Sequence, residues 1–302
     1  MTPDKYKSEF LDMNLFARLP NLELKARFLV AGFLAGLHKT PYRGSSVEFK
    51  EYRDYQQGDE LKMIDWKAYA RSDRLQVKLR EEETNMTVNI IVDSTESMNF
   101  KSSTASMTKW NYARALAGAF LLFLKKQKDA AGLGFADDSL KNFSKPSASS
   151  YNTHRLMSAL HRKAESKKSN LPNALYELIN TVRRRSIVVI LSDCYTNPDD
   201  LKNPIAFLRY MNCEILLFHI LDPAEISFSY TDNLLLSELE TGNRLTLSPE
   251  LIKKEYDEAV QNHIKALRSV CGQYNAEYEL LNTSQSPIHA LGAYLSKRKL
   301  MK

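Results

Sequence analysis

Cysteine is scarce in this chain: three in 302 residues, Cys194, Cys213 and Cys271, with neither a C-x-x-C pair nor metal-ligand spacing. That scarcity excludes a disulfide framework, argues against a zinc site and fits a reducing compartment. Long hydrophobic runs are missing too. The longest, Phe28–Leu37 and Ala115–Leu124, fall short of the roughly 20 apolar residues that span a bilayer. The opening MTPDKYKSEF has no basic-then-apolar signal pattern, so a cytoplasmic protein is expected. No Walker-type loop and no G-x-G-x-x-G occurs, so the chain is not expected to hydrolyse nucleotide. Charge of one sign is not concentrated: residues 1–84 hold 15 basic and 14 acidic side chains and the remainder 27 and 22, so the net +6 is diffuse and no nucleic-acid groove is expected. The basic clusters at Arg183–Arg185 and in the SKRKLMK tail read as solvated, the tail leaving peripheral membrane association open.

What is present is an ordinary globular composition, 43% hydrophobic and 26% charged, over a length that suits one large domain and a smaller appendage. From residue 85 onward, short β-branched runs alternate with longer amphipathic stretches, the rhythm of βαβ units in a mainly parallel, doubly wound α/β sheet. Strands are expected at Thr87–Val92, Ala130–Phe135, Ser186–Leu191, Glu214–Leu221 and Glu277–Asn282, with a short one at Ser139–Phe143. Helices are expected at Lys109–Lys126, Thr153–Glu165, Pro172–Arg183 and Pro249–Cys271. Two apolar runs flanking Glu-Thr-Gly-Asn within Asn233–Leu247 read as a hairpin inserted into that scheme. Residues 1–84 form a separate segment, with a helix over 21–38 and strands at Val47–Tyr55 and Leu75–Arg80. The α/β domain is expected to occupy residues 85–302.

The chemistry gathers after the first strand, in Asp93-Ser94-Thr95-Glu96-Ser97, a D-x-T-x-S pattern where a parallel strand delivers its carboxyl end to a loop. One carboxylate and two hydroxyls on alternate positions can converge on a hard cation, which takes oxygen ligands. Ser192-Asp193 ends the strongest central strand and Ser169-Asn170 precedes a helix, so three loops can meet at one edge. Helix capping by Asp93 and Ser97 explains the same residues equally well on composition alone.

One stretch is more specific. EFKEYRDYQQGDELKMIDWKAYARSDRLQVK, with Glu48, Phe49, Arg53, Tyr55, Gly58, Asp59, Ile64, Asp65, Trp66, Ala70 and Arg71, resembles the bacterial and archaeal domain of unknown function 58 family, as do LDPAE at 221–225 and LETGNRLTL at 239–247. The resemblance covers nearly the whole chain. It implies a von Willebrand factor type A-like domain whose metal-ion-dependent adhesion site would be Asp93, Thr95, Ser97, Ser169 and Asp193, holding Mg²⁺ or Mn²⁺. Thr95 stands where that site usually has Ser, and KKSNLPNAL replaces the usual Gly-Gly-Thr-Asp loop. The resemblance further implies partnership with a MoxR-type AAA+ ATPase and a protein client that offers an acidic group. Arg53, Asp59, Asp65, Trp66 and Arg71 are then either the joint of the upstream segment or a docking surface. The expected function is metal-dependent protein binding without catalysis. A metal-independent scaffold and a metal-assisted hydrolase with Glu96 as base are the alternatives. The six histidines show no metal spacing, and Cys194 has neither a Gly-rich elbow nor a paired histidine of a nucleophile.

Overall fold

The computed structural model describes residues 12–37, 51–56, 64, 66–72, 74–79, 86–228, 234–237, 244–247 and 249–300. Along the chain come α1 (Met13–Arg18), α2 (Leu22–Leu37), β1 (Glu51–Asp54), α3 (Trp66–Ser72), β2 (Gln76–Leu79), β3 (Thr87–Asp93) and α4 (Lys109–Gln127). Next are β4 (Ala130–Ala136), β5 (Leu140–Ser147), α5 (Ser150–Ala159), α6 (Leu171–Ile179), β6 (Ile187–Ser192), α7 (Lys202–Tyr210), β7 (Glu214–Leu221) and α8 (Pro223–Ile226). The chain then runs through β8 (Leu234–Ser237), β9 (Arg244–Leu247), α9 (Pro249–Gln273), β10 (Glu277–Asn282) and α10 (Ala290–Leu300). Residues 1–36 and 86–302 make one compact unit and residues 37–85 another, so the 1–84 segment of the sequence reading contributes to both.

In the smaller unit β1 and β2 pair antiparallel, Arg53 opposite Val77, and Trp66 of α3 meets Tyr69 edge-on. In the larger unit six strands run in the order β10-β7-β6-β3-β4-β5, all parallel except β5, which returns antiparallel on β4. The mixed α/β architecture with a mainly parallel central sheet is the one read from the alternating pattern. The interior strands have both faces covered, which is why β6 reads as an apolar run from Ile187 to Leu191 and β3 as one interrupted by the buried Asn89. On one face, Val188 and Ile190 join Leu175, Leu178, Ile205, Leu208, Leu267 and Val270 from α6, α7 and α9. On the other, Phe120 of α4 lies 5.9 Å from Phe218 of β7, ring centre to ring centre. The outer side of α4 is covered in turn: Phe123 packs edge-on against Phe33 of α2 and Tyr294 of α10. The middle of α4, from Ala115 to Leu124, is therefore apolar on every side. It begins at Thr108, whose hydroxyl accepts from the Asn111 amide, and ends at Lys128 in the left-handed conformation.

Differences from the sequence reading lie at ends and in short elements. The helix expected over Thr153–Glu165 starts and stops earlier, at Ser150–Ala159, because Ser149 caps it by accepting from the Asn152 amide. The hairpin strands are present as β8 and β9; its turn, the first residues of the Val47–Tyr55 strand, Asp59 and Asp65 lie outside the described residues. Helices α1, α3, α7, α8 and α10 had no counterpart in the expected elements.

The β4–β5 pairing is irregular, with two register shifts. β5 sits at the sheet's end and carries Lys141 and Lys145 exposed, Asn142 in the left-handed region, and Pro146. Gly132 of β4 permits this close approach: a Cβ there would stand 2.9 Å from the Ser144 carbonyl oxygen and 2.9 Å from Pro146 Cγ. Gly132→Ala is expected to destabilise the fold by about 1–3 kcal/mol in urea denaturation, as overpacking against backbone does.

Candidate functional site

The chain passes from β3 to β4 on one side and later to β6 on the other, so the topological switch point lies between β3 and β6, where open α/β sheets place ligands. Asp93 ends β3 and Ser192 ends β6, so the sheet itself brings the two loops together. Ser192 Oγ donates to Asp93 Oδ2 at 2.6 Å, tying the strand ends. Asp93 Oδ1 accepts from the Thr95 amide at 3.0 Å and from the Thr95 hydroxyl at 2.6 Å. Thr95 Oγ1 lies 2.9 Å from Ser97 Oγ, which donates to Asp193 Oδ2 at 2.7 Å. Four of the five residues read from the motif thus form one continuous chain of contacts. Asp93 is buried, and burial first, then the charge of Asp193, raises its pKa to about 6, with the Ser192 and Thr95 hydroxyls and the Thr95 amide pulling the other way.

Ser169 is placed differently. The residue of its loop that meets the motif is Ser166, which bridges to Thr95 and accepts from the Glu96 amide at 2.8 Å. Ser169 is exposed and lines a 480 Å³ concavity with Asn170, Tyr176, Thr196, Asp199 and Asp200. Trp66 and Arg71 are exposed on α3 of the smaller unit, and Arg53 lies in β1.

The sequence reading missed a buried cation. Lys109, in the first turn of α4, is fully buried, with Nζ 2.8 Å from Asp193 Oδ2 and 2.7 Å from Glu225 Oε1. Its ammonium also lies 4.7 Å from the centre of the Tyr195 ring. Burial alone would lower its pKa, but Asp193 and Glu225 outweigh burial and hold it raised, so it is charged. Glu225 is fixed by the α8 capping box, taking the Asp222 amide on Oε2, and it accepts from Tyr195 on Oε1. Burial raises the Glu225 pKa, and Lys109, the Asp222 amide and Tyr195 offset this only in part. A signal for Lys109 existed in the sequence: a cation in a helix's first turn opposes the helix dipole and so calls for acidic partners.

Two histidines hold the backbone of the second loop. His219 is buried and its pKa falls to about 4, mainly through burial, so it is neutral at pH 7. Asp193 O can only accept, so Nε2–H donates to it at 2.9 Å and Nδ1 accepts from the Tyr278 hydroxyl at 2.8 Å. His263 Nε2 donates to Cys194 O at 3.0 Å. Cys194 itself has φ 51°, an uncommon conformation for a residue other than glycine, and it makes the turn that presents Asp193. It is a buried thiol whose pKa is pushed well up, first by burial, so it has none of the character of a nucleophile.

The donor set suits a hard cation. Two carboxylates repel across the site, and two hydroxyls stand 2.9 Å apart, the edge of an octahedron with ligands at about 2.1 Å. Lys109 already supplies positive charge to Asp193. Among the described residues, no cluster of three or more His, Cys, Asp or Glu could hold a metal.

Comparison with known proteins agrees with the architecture. A family profile described as protein of unknown function DUF58 matches residues 51–266. The uncharacterized protein Mb1516 of Mycobacterium bovis is 25% identical over 243 residues, covering 80% of this chain and 75% of its own. Among solved structures, the conserved hypothetical protein BatB of Bacteroides thetaiotaomicron superposes with a TM-score of 0.50 at 12% identity, over 70% of this chain and 98% of that one. The SpRpn10 VWA domain aligns at 12% identity over 66% of this chain and 88% of its own, with a TM-score of 0.36. Among the described residues no helix is long and apolar enough to cross a membrane.

Proposed function

Because the chain belongs to the DUF58 family and carries a von Willebrand factor A-like α/β fold, we propose that it is a binding module for protein partners rather than a catalyst. Its site is the rim formed by Asp93, Thr95, Ser97 and Asp193, with Ser169 on the neighbouring loop. The observation that carries this reading is the unbroken run of contacts from Ser192 through Asp93, Thr95 and Ser97 to Asp193, at the switch point of the sheet. These residues are prearranged to hold Mg²⁺ or Mn²⁺ with oxygen ligands. A cation held there would offer a coordination position to a carboxylate from a client. The protein that works with this one on the client is proposed to be a MoxR-type AAA+ ATPase.

Calorimetric titration of chelator-treated protein with Mg²⁺ and with Mn²⁺ tests the site. A saturable heat is expected in the wild type, with affinity at least about tenfold weaker in Asp93→Ala, a loss of about 1.4 kcal/mol or more. Asp93→Asn keeps the side chain's size where Asp93→Ala proves unstable. Equal heats in wild type and both variants would overturn the metal reading.

A second reading, a metal-independent scaffold, draws on Lys109: its ammonium already rests on Asp193 Oδ2. Partner capture that persists in excess chelator would favour it, and capture that Mg²⁺ restores would favour the first.

A further inference from the structure

A second concavity, of opposite charge, opens immediately beyond the rim. It has a volume of 260 Å³ and is lined by Asn99, Asn111, Arg114, Arg162, Lys163 and Glu165, among others. Three pieces of chain build it: the short 3₁₀ turn Glu96–Asn99 that follows the site loop, the first turns of α4, and the loop after α5. The Arg162 guanidinium lies 4.5 Å from the centre of the Phe135 ring, and its Nη1 is sealed from solvent with no hydrogen-bond acceptor among the described residues. Arg114 is part-buried, and burial lowers its pKa. Among the described residues, no carboxylate lies within ion-pair distance of either arginine; the acid on the wall, Glu165, pairs instead with exposed Lys163 at 3.6 Å. Nη1 itself is out of reach of the concavity; what Arg162 offers there, as a residue of its wall without a carboxylate of its own, is the rest of a guanidinium fork that an incoming anion can engage. An adjoining concavity of 350 Å³ shares Asn111 and Arg114 and adds Lys25 and Lys101 to the same positive region. Lys25 is already engaged, capping α1 through the Phe16, Ala17 and Leu19 carbonyls.

We propose that Arg114 and Arg162 form a carboxylate-binding pocket that takes an acidic side chain from a peptide segment of the protein partner. This rests on the binding reading of the rim and extends it to a second anchor. The forked guanidinium matches a carboxylate in two contacts, whereas Glu165 on the wall disfavours a doubly charged phosphate. The pocket is continuous with the rim: Asn99, two residues beyond Ser97, donates to the Ala164 carbonyl at 2.5 Å, and Ser166 of the same loop bridges to Thr95. A partner chain at the rim therefore has the pocket beside it.

Fluorescence anisotropy of a labelled hexaglutamate peptide with the full chain, at low salt and in excess EDTA, tests the pocket apart from any metal. Saturable binding is expected, weakened about tenfold in Arg162→Gln and in Arg114→Gln, and less in Arg162→Lys, which keeps the charge without the fork. Lys168→Gln, outside the pocket, should bind as the wild type does. Urea midpoints for each variant separate loss of binding from loss of fold. No binding by wild type, equal binding by both glutamine variants, or displacement of the peptide by inorganic phosphate at concentrations where acetate fails would each overturn it. A peptide that binds only with Mg²⁺ and needs Asp93 but neither arginine would overturn the pocket while supporting the rim.

Discussion

Lys109→Ala is expected to lower the stability of the protein by about 3–5 kcal/mol, because it leaves buried carboxylates without their cation. The side chain makes two ion pairs, 2.8 Å to Asp193 and 2.7 Å to Glu225, and none of its surface is exposed. Removing the ammonium strands Asp193 beside Asp93, whose charges already oppose each other. The effect should shrink when the carboxylates are neutralised at the same time: Lys109→Met with Asp193→Asn and Glu225→Gln should recover much of the loss, since a neutral buried set no longer demands a counter-charge. Urea denaturation of the single and triple variants checks both statements. A single variant as stable as the wild type would mean that Asp193 and Glu225 are neutral or otherwise balanced. On the proposal that the rim holds Mg²⁺, any folded Lys109→Met should bind it more tightly than wild type, because a competing cation has gone.

Phe120→Ala is expected to cost a similar amount, about 3–5 kcal/mol, for a different reason. Phe120 is fully buried at the middle of α4, and its ring meets Phe218 in the sheet on one side and Tyr294 of α10 on the other. Truncation opens a cavity where three elements meet and little can collapse into it. Phe120→Leu, closer in volume, should cost less than about 1.5 kcal/mol if the neighbours repack. Because Phe120 is not among the rim's hydrogen-bonded groups, a folded Phe120→Leu should keep wild-type heats of metal titration, so calorimetry distinguishes a packing change from a change at the site.

Most of the sheet was legible because burial on both faces writes itself as runs dominated by Val, Ile and Leu, as in Ile187–Leu191 and Ile215–Leu217. α7 was not, because KNPIAFLRY is short, polar on one side and carries Pro204, which is tolerated only because it lies in the first turn. α10 was hidden by its charged end; Leu291 and Tyr294, ahead of the basic residues, are what anchor it. At the site, Asp93, Thr95, Ser97 and Asp193 could be read because they sit at or just beyond the carboxyl ends of two recognisable strands. Glu225 and Lys109 are 116 residues apart, and nothing local ties an acid in a short capping turn to a lysine at a helix start. Ser169 and Ser166 differ by three places in a loop without periodicity, so residue type alone did not show which of them meets Thr95.

β5 has a bearing on how any partner must approach. A terminal strand with straight, unpaired amides would invite another chain to add itself by main-chain hydrogen bonding. Here the outward lysines, Pro146, the left-handed Asn142 and the slipped pairing deny a regular ladder to a newcomer. A partner chain meeting this end of the sheet would therefore have to be held by side chains, not by adding a strand to β5.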